Sequence, residues 1–189
     1  MSSFTPKLFV ISGPSGAGKG TLLARVREHM PQLGLTVSAT TRAPRVGEVD
    51  GVSYHFLTPK EFERRVCAGE FLEWAQVHEH CYGTLLSDVK EQLASGSSVM
   101  LEIDVQGALQ VKDRYPDAVL IFIEPPTLNE LRRRLESRGT ESAQSIDTRM
   151  ANAVHELELA SRYDERIIND ELNEASASLI SLLTRYERS

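Results

Sequence analysis

Continuous apolar runs, separated by helix-like segments, occupy both ends of the chain. Residues 8–12, 99–104 and 119–123 are apolar at nearly every successive position, which is typical of strands buried on both faces of a parallel sheet. Segments of helical character follow these runs, so strands alternate with helices. This order predicts an α/β fold with three layers, in which a parallel sheet lies between helices.

Capping and breaking residues set the ends of the predicted helices. Thr58 with Glu61, and Thr127 with Glu130, have the spacing of a capping box, and Pro59 suits the first turn of a helix. The predicted helices cover residues 22–30, 59–68, 87–94, 106–113, 128–137, 146–163 and 171–186.

The middle of the chain, from about residue 35 to residue 86, has a different pattern. Its predicted strands are short, at residues 35–41, 52–56 and 71–77, and they enclose a single helix. We interpret this stretch as a small substrate-binding subdomain that is inserted into the α/β core. A last short strand is predicted at residues 166–169.

Composition narrows the classes of function. The 189 residues suit one domain, and the net charge of −6 weighs against general nucleic-acid binding, although a local basic pocket could still hold an anionic ligand. The two cysteines, Cys67 and Cys81, give no zinc spacing and no disulfide framework. Because no run of about twenty apolar residues exists, we expect a soluble cytoplasmic protein with no membrane or nucleic-acid partner and no obligatory protein partner.

A glycine-rich segment follows the first predicted strand, with the sequence Gly13-Pro14-Ser15-Gly16-Ala17-Gly18-Lys19-Gly20-Thr21. In such a loop the backbone N–H groups point inward around a phosphate, and the N-terminus of the next helix adds partial positive charge. The side chain of Lys19 can reach the outer phosphates. The pattern therefore predicts that residues 13–21 bind a nucleoside triphosphate.

The hydroxyl that usually contacts magnesium is displaced in this loop. The phosphate-loop pattern has Ser or Thr directly after the lysine, whereas this chain has Gly20 there and Thr21 one residue later. Thr21 is therefore the nearest candidate for the magnesium contact. The alternative is that magnesium rests mainly on phosphates, waters and the strand edge at Asp104.

Arginines occur in two groups that suit a phosphotransferase. One group lies in the middle of the chain and the other flanks a polar loop; the members are Arg42 and Arg45, then Arg132, Arg133, Arg134, Arg138 and Arg149. The guanine-reading Asn-Lys-x-Asp of a GTPase is not matched, because Asn169 begins Asn-Asp-Glu-Leu. We expect one group to bind an acceptor phosphate and the other to bind the phosphoryl group in transfer.

Several linked motifs resemble those of the guanylate kinase family. They occur in the family's order from residue 8 to about residue 183: the loop 13–21, Ser38-Ala39-Thr40-Thr41-Arg42-Ala43-Pro44-Arg45 with Gly47-Glu48, Tyr54, Phe71-Leu72-Glu73-Trp74-Ala75, Tyr82-Gly83-Thr84, Ile103-Asp104-Val105-Gln106-Gly107, Arg134-Leu135-Glu136-Ser137-Arg138-Gly139 and Ile168-Asn169-Asp170.

The resemblance implies a reaction and a division of the chain. The reaction transfers the γ-phosphoryl group of ATP to GMP or dGMP with magnesium, giving ADP and GDP or dGDP, as a step of purine nucleotide metabolism. ATP and GMP or dGMP are thus the implied small-molecule partners. The implied regions are a core at about 7–36, 89–137 and 151–189, a GMP-binding region at about 37–88 and a lid at about 138–150.

The family pattern also implies roles for residues in the acceptor site. Four of them match positions that hold the GMP phosphate, and three match other nucleotide contacts: Arg42, Arg45, Tyr54 and Tyr82, then Ser38, Thr84 and Asp104. Glu73 matches the residue that reads guanine. A carboxylate suits that role because it accepts hydrogen bonds from both the N1–H and the exocyclic amine of the base.

The transfer step is expected to depend on positive charge rather than on a general base. The attacking phosphate oxygen is largely ionised at neutral pH, so catalysis rests on positioning and charge neutralisation. The catalytic candidates are Lys19, Arg42 and the lid arginines Arg134, Arg138 and Arg149. Asn169 is predicted to border the adenine site, and Asp104 or Glu102 could orient magnesium-bound waters, although the family often has Asp in place of Glu102.

Two alternatives remain at this point. One is a nucleoside monophosphate kinase with a different base preference, which the role of Glu73 would distinguish. The other is a guanylate-kinase-like interaction domain that binds phosphopeptides without catalysis. Such domains tend to lose the phosphate loop, whereas Gly18 and Lys19 are both present here.

Overall fold

The computed structural model describes residues 4–34, 36–77, 79–137 and 143–189. Strands and helices alternate along most of the chain. In order, they are β1 (Leu8–Ser12), α1 (Lys19–His29), β2 (Ala39–Thr40), β3 (His55–Phe56), α2 (Pro59–Cys67), β4 (Phe71–Val77), β5 (His80–Leu85), α3 (Leu86–Ala94), β6 (Val99–Glu102), α4 (Val105–Arg114), β7 (Val119–Glu124), α5 (Leu128–Glu136), α6 (Ala143–Glu158), a 3-10 turn (Leu159–Arg162), β8 (Glu165–Ile168) and α7 (Leu172–Glu187).

The main sheet contains four parallel strands in the order β6-β1-β7-β8. All five side chains of β1 are buried, which explains why its residues 8–11 are apolar without alternation. The carboxyl ends of β1, β6 and β7 meet at one edge of this sheet, as parallel pairing requires. The glycine-rich loop leaves β1 at that edge, which is where open α/β sheets bind ligands.

Successive residues of β1 face two separate cores. Phe9 and Ile11 pack with α1 and α7 on one face, in a cluster that includes Leu23 and Leu179. Leu8 and Val10 pack on the other face with residues of α3 and α4. The sheet therefore lies between two helical layers, and the predicted three-layer α/β fold is confirmed.

A second sheet forms from the middle of the chain in the order β3-β2-β5-β4. The pairs β2–β5 and β4–β5 are antiparallel, whereas β2 and β3 are parallel. Phe62 of α2 stacks on Phe71 with 4.4 Å between ring centroids, and both rings are buried. This small separate core supports the side chains that line the acceptor side of the site.

Three strands of the second sheet differ from the prediction. The strand predicted at 35–41 contains only Ala39–Thr40, while Gly34 makes an isolated parallel bridge to Val99 at the edge of the main sheet. The strand predicted at 52–56 is reduced to His55–Phe56. β5 was not predicted as a strand at all. Pairing with a neighbouring strand decides these boundaries, and such pairing is not visible in the local pattern.

The structure confirms the two helix starts that were predicted from Thr58 and Thr127. The hydroxyls of Thr58 and Thr127 accept hydrogen bonds from the backbone N–H groups three residues later. The helix predicted at residues 146–163 is observed as α6, which begins at Ala143, ends at Glu158 and continues as a 3-10 turn to Arg162. Within the described residues, no helix is both long enough and apolar enough to span a bilayer.

Candidate active site

The glycine-rich loop packs against two strands of the main sheet, near the carboxyl ends of β7 and β8. Gly18 precedes α1 with φ of 85°, in the left-handed region that favours glycine. A Cβ atom on Gly18 would lie 2.5 Å from the side-chain nitrogen of Asn169. At the other end of the loop, a Cβ atom on Gly13 would lie 2.1 Å from the carbonyl oxygen of Ile123. The sequence 13–18 therefore needs glycine at both ends to follow this path.

Lys19 lies inside the curve of the loop. Its Nζ donates hydrogen bonds to the carbonyl oxygens of Gly13 and Pro14, the second at 3.1 Å. A cleft of about 230 Å³ opens beside it. The lining residues are Ser15, Gly16, Gly18, Lys19, Gly20, Thr21 and Glu102. The backbone N–H groups at the start of α1 and the Lys19 ammonium together make this cleft attractive to anions.

Two predicted site residues are fixed behind the loop. The side-chain amide of Asn169 donates to the carbonyl of Ala17 at 2.8 Å, and Asn169 is only 5% exposed. Arg134 Nη1 donates to the carbonyl of Asn169 at 3.0 Å, while its Nε donates to Glu130 at 2.8 Å. Arg134 and Asn169 therefore form one connected unit at the carboxyl end of β8.

Arg149 reaches the loop from α6. Its Nη1 donates to the hydroxyl of Ser15 at 2.8 Å. The predicted lid boundary at residue 150 falls within α6, which is continuous from Ala143 to Glu158. Arg138, the third predicted lid arginine, lies outside the described residues. Arg132 pairs instead with Asp147 at 2.8 Å on the exposed side of α5.

A second cleft of about 210 Å³ adjoins the first. It contains five of the eight predicted GMP-binding residues, and Glu102 lines both clefts. The lining residues are Ser38, Tyr54, Glu73, Ala75, Val77, Tyr82, Gly83, Glu102, Ile103 and Asp104. A donor site and an acceptor site predicted from separate parts of the chain are thus brought side by side.

Glu73 is a buried carboxylate at the base of the second cleft. It is 6% exposed, and its Oε1 accepts a hydrogen bond of 2.7 Å from the hydroxyl of Thr84. Burial raises the pKa of the Glu73 carboxyl, the Thr84 hydrogen bond opposes that rise, and the nearby charge of Asp104 adds to it. Thr84 therefore lies behind Glu73, where it orients the carboxylate.

Arg42 is held at the rim of the cleft by Glu48. Two guanidinium nitrogens donate to the two Glu48 oxygens at 3.0 and 2.8 Å, and the guanidinium carbon lies 5.4 Å from the Tyr54 ring centre. This pairing keeps the pKa of Glu48 below its usual value, with a further contribution from the Arg45 backbone N–H. The Arg45 side chain is exposed. The ion pair has no signal in the sequence pattern, although both residues lie in one turn-rich segment.

Asp104 lines the second cleft and is bonded to the core. Its Oδ1 accepts a hydrogen bond of 2.8 Å from the N–H of Gly107, so its side chain caps α4. Its backbone carbonyl accepts a hydrogen bond from the hydroxyl of Ser12 at the end of β1. Asp104 is therefore held at the strand edge by both its side chain and its backbone.

Two titratable groups near the loop were not singled out from the sequence. Burial raises the pKa of Glu156 on α6, the charge of Lys19 lowers it, and the charge of Asp104 raises it. Burial also raises the pKa of Tyr163 to about 12. A glutamate inside a helix and a tyrosine after it carry no local signal of this placement, because only the packing of α6 brings them to the loop.

The described residues contain no group of three or more His, Cys, Asp or Glu side chains that could hold a metal ion by themselves. A larger cleft of about 460 Å³ lies at the opposite edge of the main sheet, near Lys7, Lys112 and Tyr115. It contains no predicted site residue. The chemistry predicted from the sequence is thus concentrated in the two adjoining clefts.

Comparisons with known proteins agree with this geometry. Residues 5–186 match the family described as guanylate kinase. The guanylate kinase of Gloeobacter violaceus is 51% identical over 177 residues, which cover 94% of this chain and 86% of that protein. That of Fusobacterium nucleatum is 49% identical over 176 residues, covering 93% of this chain and 95% of the relative.

A solved structure gives the same result for the fold. The crystal structure of guanylate kinase from Anaplasma phagocytophilum superposes with a TM-score of 0.74 at 30% identity, covering all of this chain and 90% of that one. The match of family, sequence and fold spans almost the whole length. The chain therefore belongs to the guanylate kinase family.

Proposed function

We propose that this protein transfers the γ-phosphoryl group of ATP to GMP, and also to dGMP, in the two adjoining clefts. One observation supports this assignment above all. Glu102, at the end of β6, lines both the cleft beside Lys19 and the cleft that contains Glu73. Because the two clefts share this residue, a triphosphate in the first cleft and a monophosphate in the second would lie next to each other.

The donor nucleotide is assigned to the glycine-rich loop. Residues 13–21 surround the phosphates with backbone N–H groups, and Lys19 neutralises charge on the outer phosphates. Lys19 must then leave the carbonyls of Gly13 and Pro14, which it contacts in the structure. Asn169 borders the adenine side of this cleft, beside Arg134.

The acceptor base is assigned to Glu73. Its carboxylate accepts from the N1–H and the amine of guanine while Thr84 holds it from behind. Adenine has no N1–H and would leave a buried charge unpaired, which is the condition for strong discrimination between bases. Ser38 and Asp104 complete the contacts to the nucleoside.

The acceptor phosphate is assigned to Arg42, Arg45, Tyr54 and Tyr82. Arg42 already presents its guanidinium fork to the Glu48 carboxylate, and a phosphate accepts from such a fork in the same bidentate way. The GMP phosphate therefore competes with the Glu48 carboxylate for the two guanidinium nitrogens of Arg42. Tyr54 and Tyr82 both line the second cleft.

The transfer itself is assigned to positive charge around the moving phosphoryl group. Lys19 lines the first cleft, Arg42 lies beside Tyr54 of the second cleft, and Arg149 already contacts the loop through Ser15. Arg134 and Arg138 are proposed to complete this set. Because the attacking oxygen is largely ionised at neutral pH, no side chain is needed to remove a proton.

Magnesium is proposed as the ion that accompanies ATP. The side-chain oxygen donors at the first cleft are the hydroxyls of Ser15 and Thr21 and the carboxylate of Glu102. Magnesium prefers such hard oxygen ligands, and it usually keeps several waters beside the phosphates. Thr21 and Asp104 would hold it, the latter through water, with Glu102 as the neighbouring carboxylate. When bound, the ion neutralises charge on the outer phosphates.

We further propose that the chain works as a core, a GMP-binding region and a lid, at the boundaries given above. The GMP-binding region corresponds to the part of the chain that forms the second sheet and its helix α2. The lid and this region close over the bound nucleotides, because water in the site would take the phosphoryl group. Small-angle scattering with both nucleotides bound should show compaction; unchanged dimensions would contradict closure.

A coupled assay tests the proposed function directly. ADP formation is followed with ATP, magnesium and each nucleoside monophosphate in turn. We expect turnover with GMP and dGMP and much slower turnover with AMP, CMP and UMP. Turnover with AMP at a comparable rate would overturn the guanine assignment. Binding of GMP without any ADP formation would instead indicate a non-catalytic guanylate-kinase-like domain.

A further inference from the structure

The edge of the second sheet is covered by a side chain from the core. β4 is the outer strand of that sheet, and its far edge faces α4. The backbone N–H of Trp74 donates to Gln110 Oε1 at 3.2 Å, and Gln110 Nε2 donates to the carbonyl of Trp74 at 3.1 Å. A glutamine amide carries one acceptor and two donors on adjacent atoms. Gln110 thus pairs with β4 as a neighbouring strand would.

Two further residues on the same face of α4 contact β4. Arg114 Nη1 donates to the carbonyl of Phe71, and a Cβ atom on Gly107 would lie 2.9 Å from Oε2 of Glu73. Residues 107, 110 and 114 are spaced by three and four positions, which places them on one helix face. We refer to these three residues as the α4 brace.

A register shift in β4 allows both Gln110 and Arg114 to bond to the backbone of this strand. In a regular strand, backbone groups three residues apart point to opposite edges. The register between β4 and β5 shifts between Phe71 and Glu73, and such a shift changes which groups face outward. Phe71 and Trp74 therefore both present carbonyls to α4, on either side of Glu73.

The brace lies where the two halves of the proposed base site meet. Glu73 and Thr84 belong to the second sheet, whereas Asp104 caps the first turn of α4 in the core. The distance between these halves depends on how α4 and β4 are held together. Gln110 makes that connection at Trp74, the residue directly after Glu73.

We propose that Gln110 is a positioning residue for guanine recognition, which fixes the Glu73 carboxylate relative to Asp104 through its two hydrogen bonds to the Trp74 backbone. This inference rests on the proposed role of Glu73 in reading guanine. Gly107 is the second part of the same device, because the absence of a side chain there leaves the space that Glu73 Oε2 occupies.

Misplacement of Glu73 should affect the recognition of GMP and of IMP to different extents. GMP and IMP both offer an N1–H, but only GMP has the exocyclic amine that the second carboxylate oxygen accepts. If Glu73 is displaced, its carboxylate can still accept one hydrogen bond from the base, but it can no longer accept both at once. Misplacement therefore reduces the preference for GMP over IMP, whereas a general loss of folded protein lowers both activities equally.

The experiment compares Gln110→Ala with the unmodified protein. Steady-state kinetics are measured with GMP, with IMP at high enzyme concentration, and with varied ATP. We expect the KM for GMP to rise about tenfold and the GMP-to-IMP ratio of kcat/KM to fall about tenfold, by analogy with the loss seen when residues that orient metal ligands are replaced. The KM for ATP should stay within about twofold, because the loop 13–21 is untouched.

Matched variants separate positioning from folding. Asp113→Ala removes an exposed side chain from the same helix and should leave all constants unchanged. Gly107→Ala keeps both Gln110 bonds but places a methyl group against Glu73, and it should lower the GMP-to-IMP ratio as Gln110→Ala does. An unchanged ratio in both variants would overturn the proposal, even if both proteins unfold at lower temperature.

Binding measurements keep this test independent of the proposed reaction. Calorimetric titration with GMP and with IMP gives the same ratio without turnover. If the unmodified protein binds GMP but forms no ADP, the proposed reaction fails while the ratio still tests Gln110. Equal affinity of the unmodified protein for GMP and IMP would refute both the guanine assignment and the role of Gln110.

Discussion

Replacing Glu73 with glutamine should have opposite effects on activity and on stability. The substitution keeps the size of the side chain and an oxygen that can accept the hydrogen bond from Thr84. It removes the charge and exchanges one acceptor for an NH₂ donor. Because Glu73 is 6% exposed, neither change can be compensated by water.

The loss of activity follows from the two proposed bonds to guanine. Hydrogen bonds to a charged group contribute about 1.5–3 kcal/mol each, and neutral ones about 0.5–1.5 kcal/mol. Glu73→Gln loses one bond, weakens the other and sets a donor against the amine of the base. The sum is about 3–4 kcal/mol, so kcat/KM for GMP should fall roughly 10²–10³-fold.

The gain in stability follows from burial. The folded protein disfavours the ionised form, since burial raises the pKa of Glu73. Ionisation therefore costs stability above the raised pKa, and this cost disappears below about pH 4.3, where the carboxyl is protonated in both folded and unfolded chains. At neutral pH we expect Glu73→Gln to be more stable by about 1 kcal/mol, a usual scale for relieving a strained functional site.

Thermal unfolding and the coupled assay measure the two effects on the same samples. A gain of about 1 kcal/mol should raise Tm by about 2–4 °C in a chain of this size, and the gain should shrink as the pH is lowered towards 4. Glu63→Gln, an exposed position on α2, should change neither quantity. A lower Tm for Glu73→Gln at pH 7 would refute the burial argument, and an unchanged KM for GMP would refute the guanine contact.

Three further substitutions test the loop and the acceptor phosphate. Arg42→Lys replaces a fork by a point charge and should raise the KM for GMP at least about tenfold, while Arg64→Lys on α2 should not; equal effects in steady-state kinetics would contradict the phosphate assignment. Gly13→Ala should abolish ATP binding in calorimetry and lower Tm, because the new Cβ would meet the carbonyl of Ile123 at 2.1 Å; normal binding would disprove the required loop path. A Cβ atom on Gly20 would meet no other atom within 4 Å. Gly20→Ser should therefore stabilise the helix by about 0.5 kcal/mol, and it should lower the magnesium concentration that gives the half-maximal rate. A lower Tm for this variant would show that the space beside Gly20 is not open.

The parts of the fold that sequence predicts well are those set by burial. The strand at residues 8–12 was predicted with its observed limits, because burial on both faces makes its first four residues continuously apolar. β5 was missed because its pattern includes Gly83. A Cβ atom there would lie 2.8 Å from the carbonyl of Glu73, so the glycine reflects close packing against β4 rather than a turn.

In the candidate site, too, some features follow from local sequence and others only from packing. Local motifs located the loop 13–21 and, through the family resemblance, the residues of the acceptor cleft. The contacts that orient those residues join distant positions, as between Gln110 and Trp74, or leave no periodic signal, as between Arg42 and Glu48. A single sequence names the chemical groups, but only the packing of helices on strands shows what holds each group in place.

The cover over β4 also affects how copies of this protein behave towards one another. An unpaired outer strand is a template on which a second chain can add a strand. Here Gln110 and Arg114 bond to outward backbone groups of Trp74 and Phe71 in β4, and the opposite outer strand, His55–Phe56, is only two residues long. The second sheet therefore has few unpaired backbone groups to which a strand of another chain could bond. Its cleft can stay open at high protein concentration without aggregation of the protein through this sheet.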